Sequence, residues 1–141
     1  RPDQPGLPAA NAVRLEDIGD IPLILPSSAH GLRAVLNAAA ARHQRALNVV
    51  AEIDGLAVLM DAVRAGIGAT IQPGAAVARH LGDPLALIEI ADASVRRPNL
   101  LVSLSDDELS PAGLAARGVL ESMARQLVTA ERWPGATLHK S

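Results

Sequence analysis

Four histidines, 15 carboxylates and one pair of adjacent serines are where chemistry could begin in this 141-residue chain, and their spacing excludes most of it. The absence of cysteine removes thiol nucleophiles, disulfides and thiolate metal sites. His30, His43, His80 and His139 form no H-x-x-x-H pattern with a nearby acid, so no metal centre is expected. Neither a G-x-S-x-G elbow nor an S-x-x-K motif supports a serine nucleophile. "GIGATIQPG" (66–74) begins G-x-G, but it follows a helical pattern and precedes a strand. A phosphate-binding fingerprint needs the reverse order, because the helix N-terminus supplies the positive dipole. No catalytic residue and no cofactor are expected, and the chain does not read as an enzyme.

Binding chemistry survives. Ser27 and Ser28 lie in "PSSAHG" (26–31), between an apolar run and a helical pattern. Free main-chain amides at a helix start, with two hydroxyls beside them, make a cradle for an anion. The same place suits a serine that only caps the helix, and both readings stand. Asp54, in "EIDGL", holds the equivalent position one unit later and is expected as the N-cap of the next helix. Its charge repels an anionic ligand, while Gly55 beside it lets a ligand approach the backbone. His30 either faces the same space or caps the first turn. Arg96 and Arg97 read as a solvated pair flanking a strand, or with Arg97 reaching a ligand.

The elements that must position these residues follow from hydrophobic periodicity. "LEDIGD" (15–20) suits a short helical turn. "IPLIL" (21–25), stopped by Pro26, has the pattern of a strand buried on both faces. A helix over 30–43 follows, with Leu32, Val35, Leu36 and Ala39 in one stripe. "LNVVAEI" (47–53) is the next strand. Leu56, Leu59, Met60 and Val63 repeat the helical spacing, and Gly66 ends that helix as a C′ glycine. "GATIQ" (68–72) predicts a third strand, so 52–73 reads as part of a right-handed crossover between parallel strands. A short helix at 75–81, strands at 84–90 and 99–105, and a long helix from Ser110–Pro111 to about 130 complete the pattern. The fold class is α/β, a mostly parallel sheet flanked by helices.

Composition narrows the partners. Apolar residues at 49% and charged residues at 20% describe a globular chain. Trp133 is the sole aromatic, so the core must be aliphatic and no stacking platform for single-stranded nucleic acid exists. A net charge of −2, from 13 basic and 15 acidic residues spread along the chain, gives no basic face for tracking phosphates. No apolar run approaches a membrane span, so no membrane partner is expected. The start, "RPDQPGLPAAN", has no apolar signal-peptide core and no initiator Met, which points to a piece of a longer protein.

"LEDIGDIPLILPSSAHGLRAVLNAA", "LNVVAEIDGLAVLMDAVRAGIGATIQP" and "RRPNLLVSLSDDELSPAGLAARGVLESM" together resemble the effector-binding region of LysR-type transcriptional regulators. The first two look most like the branch related to the nitrogen assimilation control regulator. The resemblance covers residues 15 to 130. It implies a type-2 periplasmic-binding-protein-like fold of two α/β subdomains with a small-molecule effector in the cleft, where the Ser27–Ser28 cradle suits an anionic one. Residues 1–20 would be a lead-in, 21–92 the second effector-binding subdomain, 93–131 the returning strand and helix of the first, and 132–141 a tail. Effector contacts carry over to Pro26, Ser27, Ser28 and His30, and to Asp54 and Gly55. The resemblance also implies a cytoplasmic homodimer or higher oligomer, which meets DNA only through an N-terminal domain that this chain lacks.

A ligand-sensing module of a transcription factor is therefore the leading expectation. A transport-type solute-binding domain of the same architecture is the alternative, ahead of an enzyme on that scaffold such as a transferase or dehydratase.

Overall fold

Two parallel strand pairs organise the residues that the computed structural model describes, 11–77 and 85–139. β1 (Ala12–Val13) pairs with β4 (Glu89–Ile90), and β2 (Leu23–Leu25) pairs with β3 (Val49–Glu52). The helices are α1 (Gly31–Arg42), α2 (Leu56–Arg64), α3 (Gly74–Val77) and α4 (Pro111–Thr129). The described chain falls into two compact units, 11–72 with 85–97, and 73–77 with 98–139.

In the first unit β2 is buried along its whole length, as an apolar run ending at proline predicts. Because strand side chains alternate, Leu23 and Leu25 join one cluster with Leu32, Leu36, Ala39 and Ala40 of α1. Ile24 turns the other way, onto Leu59, Met60 and Val63 of α2. β2 is thus the middle layer between two helices. The core is aliphatic throughout, and its largest fully buried side chains are Ile24, Leu25, Leu36 and Leu59.

The β2–β3 register slips by one residue between Leu23 and Ile24, which oppose Val49 and Ala51. This bulge leaves Val50 outward and half exposed, and it lets Ala51 and Ile53 pack with Ile24 and α2. The expected third strand is reduced to one bridge, Ala69 against Leu23 on the other edge of β2. Gly68 makes that approach possible: a Cβ there would stand 2.6 Å from the Pro22 carbonyl oxygen.

α1, α2 and α4 end in the same way. Gly66, Gln44 and Glu131 are left-handed at φ 82°, 53° and 55°, each one residue past its helix cap. The N–H two residues beyond each cap closes the turn: Arg45 on the Ala40 carbonyl, Ile67 on Ala62, Arg132 on Leu127. The C′ role read for Gly66 is therefore observed. Leu15–Ile18 form the expected helical turn, as a 3-10 helix.

In the second unit α4 opens on Ser110, whose hydroxyl accepts the Gly113 N–H at 3.1 Å, with Pro111 at the first helical position. The strand expected at 99–105 does not form. A strand needs a partner for its alternate N–H and C=O groups, and no described residue pairs with this segment. Leu100 and Val102 are 77% and 82% exposed as a result. Arg117 fastens the segment to α4, donating to Ser103 Oγ at 3.1 Å and Asp106 Oδ1 at 2.6 Å. α4 itself buries no residue. Of the helix expected at 75–81 the described part is α3, and of the strand expected at 84–90 only Glu89–Ile90 pairs, as β4, while 85–88 form no strand. Residues 78–84, with His80, lie outside the described residues, as do 1–10 and 140–141. No helix among the described residues is long and apolar enough to cross a membrane.

Candidate functional site

Side-by-side pairing of β2 and β3 puts their C-terminal ends together, since Leu25 stands opposite Glu52. The segments that follow, Pro26–His30 and Ile53–Gly55, are consequently neighbours although 27 residues separate Ser27 from Asp54. The Ile53 N–H donates to the Leu25 carbonyl at 2.9 Å, which continues the ladder one step past β3.

Asp54 is not the N-cap of α2; Gly55 holds that position, without a side-chain bond to the helix. The Asp54 carboxylate reaches across instead, and its Oδ1 accepts the Ser27 N–H at 2.8 Å. That N–H, followed by the Ser27 hydroxyl, holds the Asp54 carboxyl below its ordinary range, with a smaller contribution from His30 when the ring is charged. Capping and cross-linking compete for one carboxylate. The cross-link prevails because a strand pair has already delivered an otherwise unanswered N–H to it.

Neither serine caps α1. His30 does so, its Nδ1 accepting the Leu32 N–H at 3.2 Å, which decides the role left open by sequence. The Ser27 carbonyl accepts the His30 N–H at 3.0 Å and closes a turn through Ser28 and Ala29. Pro26 is buried beneath that turn, Ser27 is half-buried, and Ser28, His30, Asp54 and Gly55 are exposed. The N–H groups of Ser28, Gly31 and Arg33 have no acceptor among the described residues. With two hydroxyls beside them at a helix start, they offer donors to an acceptor-rich ligand. Gly55 adopts an ordinary extended conformation, and a Cβ added there would meet only Val58, at 4.0 Å. Glycine at that point leaves the rim open without being required by the backbone.

Arg33 is the residue that sequence reasoning missed. Its Nη1 donates to the Pro26 carbonyl at 3.2 Å and to Glu52 Oε1 at 2.8 Å, and its Nε donates to Asn37 Oδ1 at 3.1 Å. The guanidinium thus joins α1, the end of β3 and the floor of the serine turn. Its spacing of four from Asn37 was a visible signal, but its long-range partners were not. Arg96 and Arg97 are exposed and belong to the segment leaving the first unit. Among the described residues no three His, Asp or Glu side chains gather as metal ligands.

Residues 2–127 match the family described as the LysR substrate binding domain. The chain is also 35% identical over 106 residues to a Shigella flexneri protein named an uncharacterized HTH-type transcriptional regulator, YfeR. That similarity takes in 75% of this chain but 34% of the relative, so the chain spans about a third of that protein's length. No solved structure matches the chain. The match over nearly the whole length, on a parallel-stranded α/β unit with open loops at the carboxyl ends of its strands, decides the family: this chain belongs to the LysR substrate-binding domain family.

Proposed function

We propose that this chain is the effector-sensing part of a LysR-type transcriptional regulator, and that its effector is a small anion. It binds at the loop Pro26–His30 with Asp54 and Gly55 on the rim. The supporting observation is the bond from the Ser27 N–H to Asp54, which fixes the serine turn against the neighbouring strand end while leaving the Ser28, Gly31 and Arg33 N–H groups open. The Ser27 bonds keep Asp54 ionised, so the anionic group of the effector sits on the Ser28, Gly31 and Arg33 donors and not against the carboxylate. Ligands of open parallel sheets bind at the carboxyl ends of the strands, where these loops lie.

In this reading the first unit is one subdomain of a type-2 periplasmic-binding-protein-like pair, and the segment 98–130 is the returning part of the other. Regulation is a population shift. An effector that favours one subdomain arrangement biases the geometry of a cytoplasmic homodimer, and with it the DNA-binding domains carried elsewhere in the protein.

The test uses the full reading frame that encodes this chain. The regulator predicts a winged helix-turn-helix upstream, and an export signal there would replace it with a solute-binding protein. In the full protein, a panel of small carboxylates and phosphates is screened by thermal shift. The Ser28→Ala and Gly55→Leu variants should then lose the shift while keeping the unliganded melting temperature. Retention of the shift by both variants removes the site from this loop.

A further inference from the structure

α1 has a second feature at its other end, which the proposed function does not use. Beyond its last residue, ~18 Å along the helix from the serine turn at 1.5 Å per residue, lies a cavity of about 280 Å³. Its floor is aliphatic, from Leu15, Ala40 and Leu47. Its rim carries both signs of charge: Glu16 and Asp20 from the turn after β1, and Arg45 from the turn after α1.

The pairing of these charges separates them. Glu16 is answered by Arg14 at 2.8 Å and by His43 Nδ1 at 3.1 Å. The Asp20 carboxylate and the Arg45 guanidinium have no side-chain partner among the described residues, and they do not pair with each other across the small cavity they share. Both backbones are pinned. The Asp20 carbonyl accepts from Asn48 Nδ2 at 2.7 Å, and the Arg45 N–H donates to the Ala40 carbonyl at 3.0 Å. Each residue directly follows a left-handed one, Gly19 at φ 60° and Gln44 at φ 53°. Two exposed, opposite charges thus start from fixed turns beside the buried Leu15 and Ala40.

We propose that this cavity is a second small-molecule site, for a compact zwitterion of the α-amino-acid type. Asp20 holds the ammonium, Arg45 holds the carboxylate, and an aliphatic side chain rests on Leu15, Ala40 and Leu47. A simple anion leaves Asp20 unanswered beside Glu16, and a simple cation leaves Arg45 unanswered. A molecule with both charges on one carbon and an apolar group beside them answers both Asp20 and Arg45 and covers the aliphatic residues.

The test is a titration of the isotope-labelled 141-residue chain with L-leucine, followed by backbone amide shifts. Isocaproate, which lacks the ammonium, and isoamylamine, which lacks the carboxylate, are run in parallel. Leucine should give saturable shifts at 15–20 and 43–47. Each half-probe should bind roughly tenfold or more weakly, because it forgoes a charge-assisted hydrogen bond. Asp20→Asn should remove the advantage of leucine over isocaproate, and Arg45→Gln its advantage over isoamylamine. Absence of saturable shifts at 15–20 and 43–47, or an affinity indifferent to both substitutions, overturns the site. Shifts confined to 26–30 and 54–55 overturn it while favouring the serine loop, so the two sites fail separately.

Discussion

At the scale of single residues, Asp54 shows where local rules stop. Its place after a strand and before a helix was legible, and aspartate is a favoured cap there. Its partner was not, because Ser27 comes near only once β2 and β3 have paired. Arg33 is the same case, since nothing within a few residues of it announces Glu52 or the Pro26 carbonyl. His30 was legible as one of two alternatives, and the structure selects the cap. The Asp54 contact makes a pH-dependent prediction. A carboxyl held below its ordinary value of 3.8 stabilises the fold fully above that value, and the contribution fades as pH falls through the lower folded-state value. Urea unfolding of the wild type and Asp54→Asn should therefore differ by a constant amount at neutral and mildly acidic pH. The two should converge below pH 3.8. A gap that persists unchanged into strong acid means that the contact is not to the ionised carboxylate.

At the scale of elements, the strongest periodic signals held. The apolar run 21–25 became a strand between two helices, and α1 and α2 fell where the stripe of Leu32, Leu36, Leu59 and Met60 placed them. Helix ends were legible only where glycine marks them. Gly66 announced its left-handed turn, whereas Gln44 and Glu131 adopt the same conformation without the residue that suits it. That difference gives a pair of opposed predictions. Gln44→Gly removes a left-handed penalty and should raise stability by about 1 kcal/mol. Gly68→Ala should do the reverse. Its new Cβ stands 2.6 Å from the Pro22 carbonyl oxygen and 3.2 Å from Ile24, against backbone and core that cannot yield cheaply. Forcing atoms into such a packed place costs about 1–3 kcal/mol. Denaturant midpoints measure both. A stabilised Gly68→Ala protein means that the Ala69–Leu23 bridge does not form in solution.

At the scale of the whole molecule, the α/β class was legible, while the strand predicted at 99–105 was not realised, and one cause explains both. Within 11–72 the stripes of α1 and α2 cover the two faces of β2, so propensity and burial agree there, although Leu56, Val58 and Ile67 stay exposed. "NLLVSLS" has the composition of a strand, but composition cannot supply a neighbour to pair with. Leu100, Val102 and Leu104 stay exposed, as do Val119, Leu120 and Met123 on α4. Apolar surface left uncovered to this extent favours association. The 141-residue chain should therefore sediment as a concentration-dependent mixture. Leu100→Glu with Leu120→Glu should shift it toward monomer without altering the unfolding of the first unit, because neither residue belongs to that core. If the wild-type chain stays monomeric at every concentration, the exposed face is closed in solution, and 99–105 must pair in a way that the isolated segment does not display.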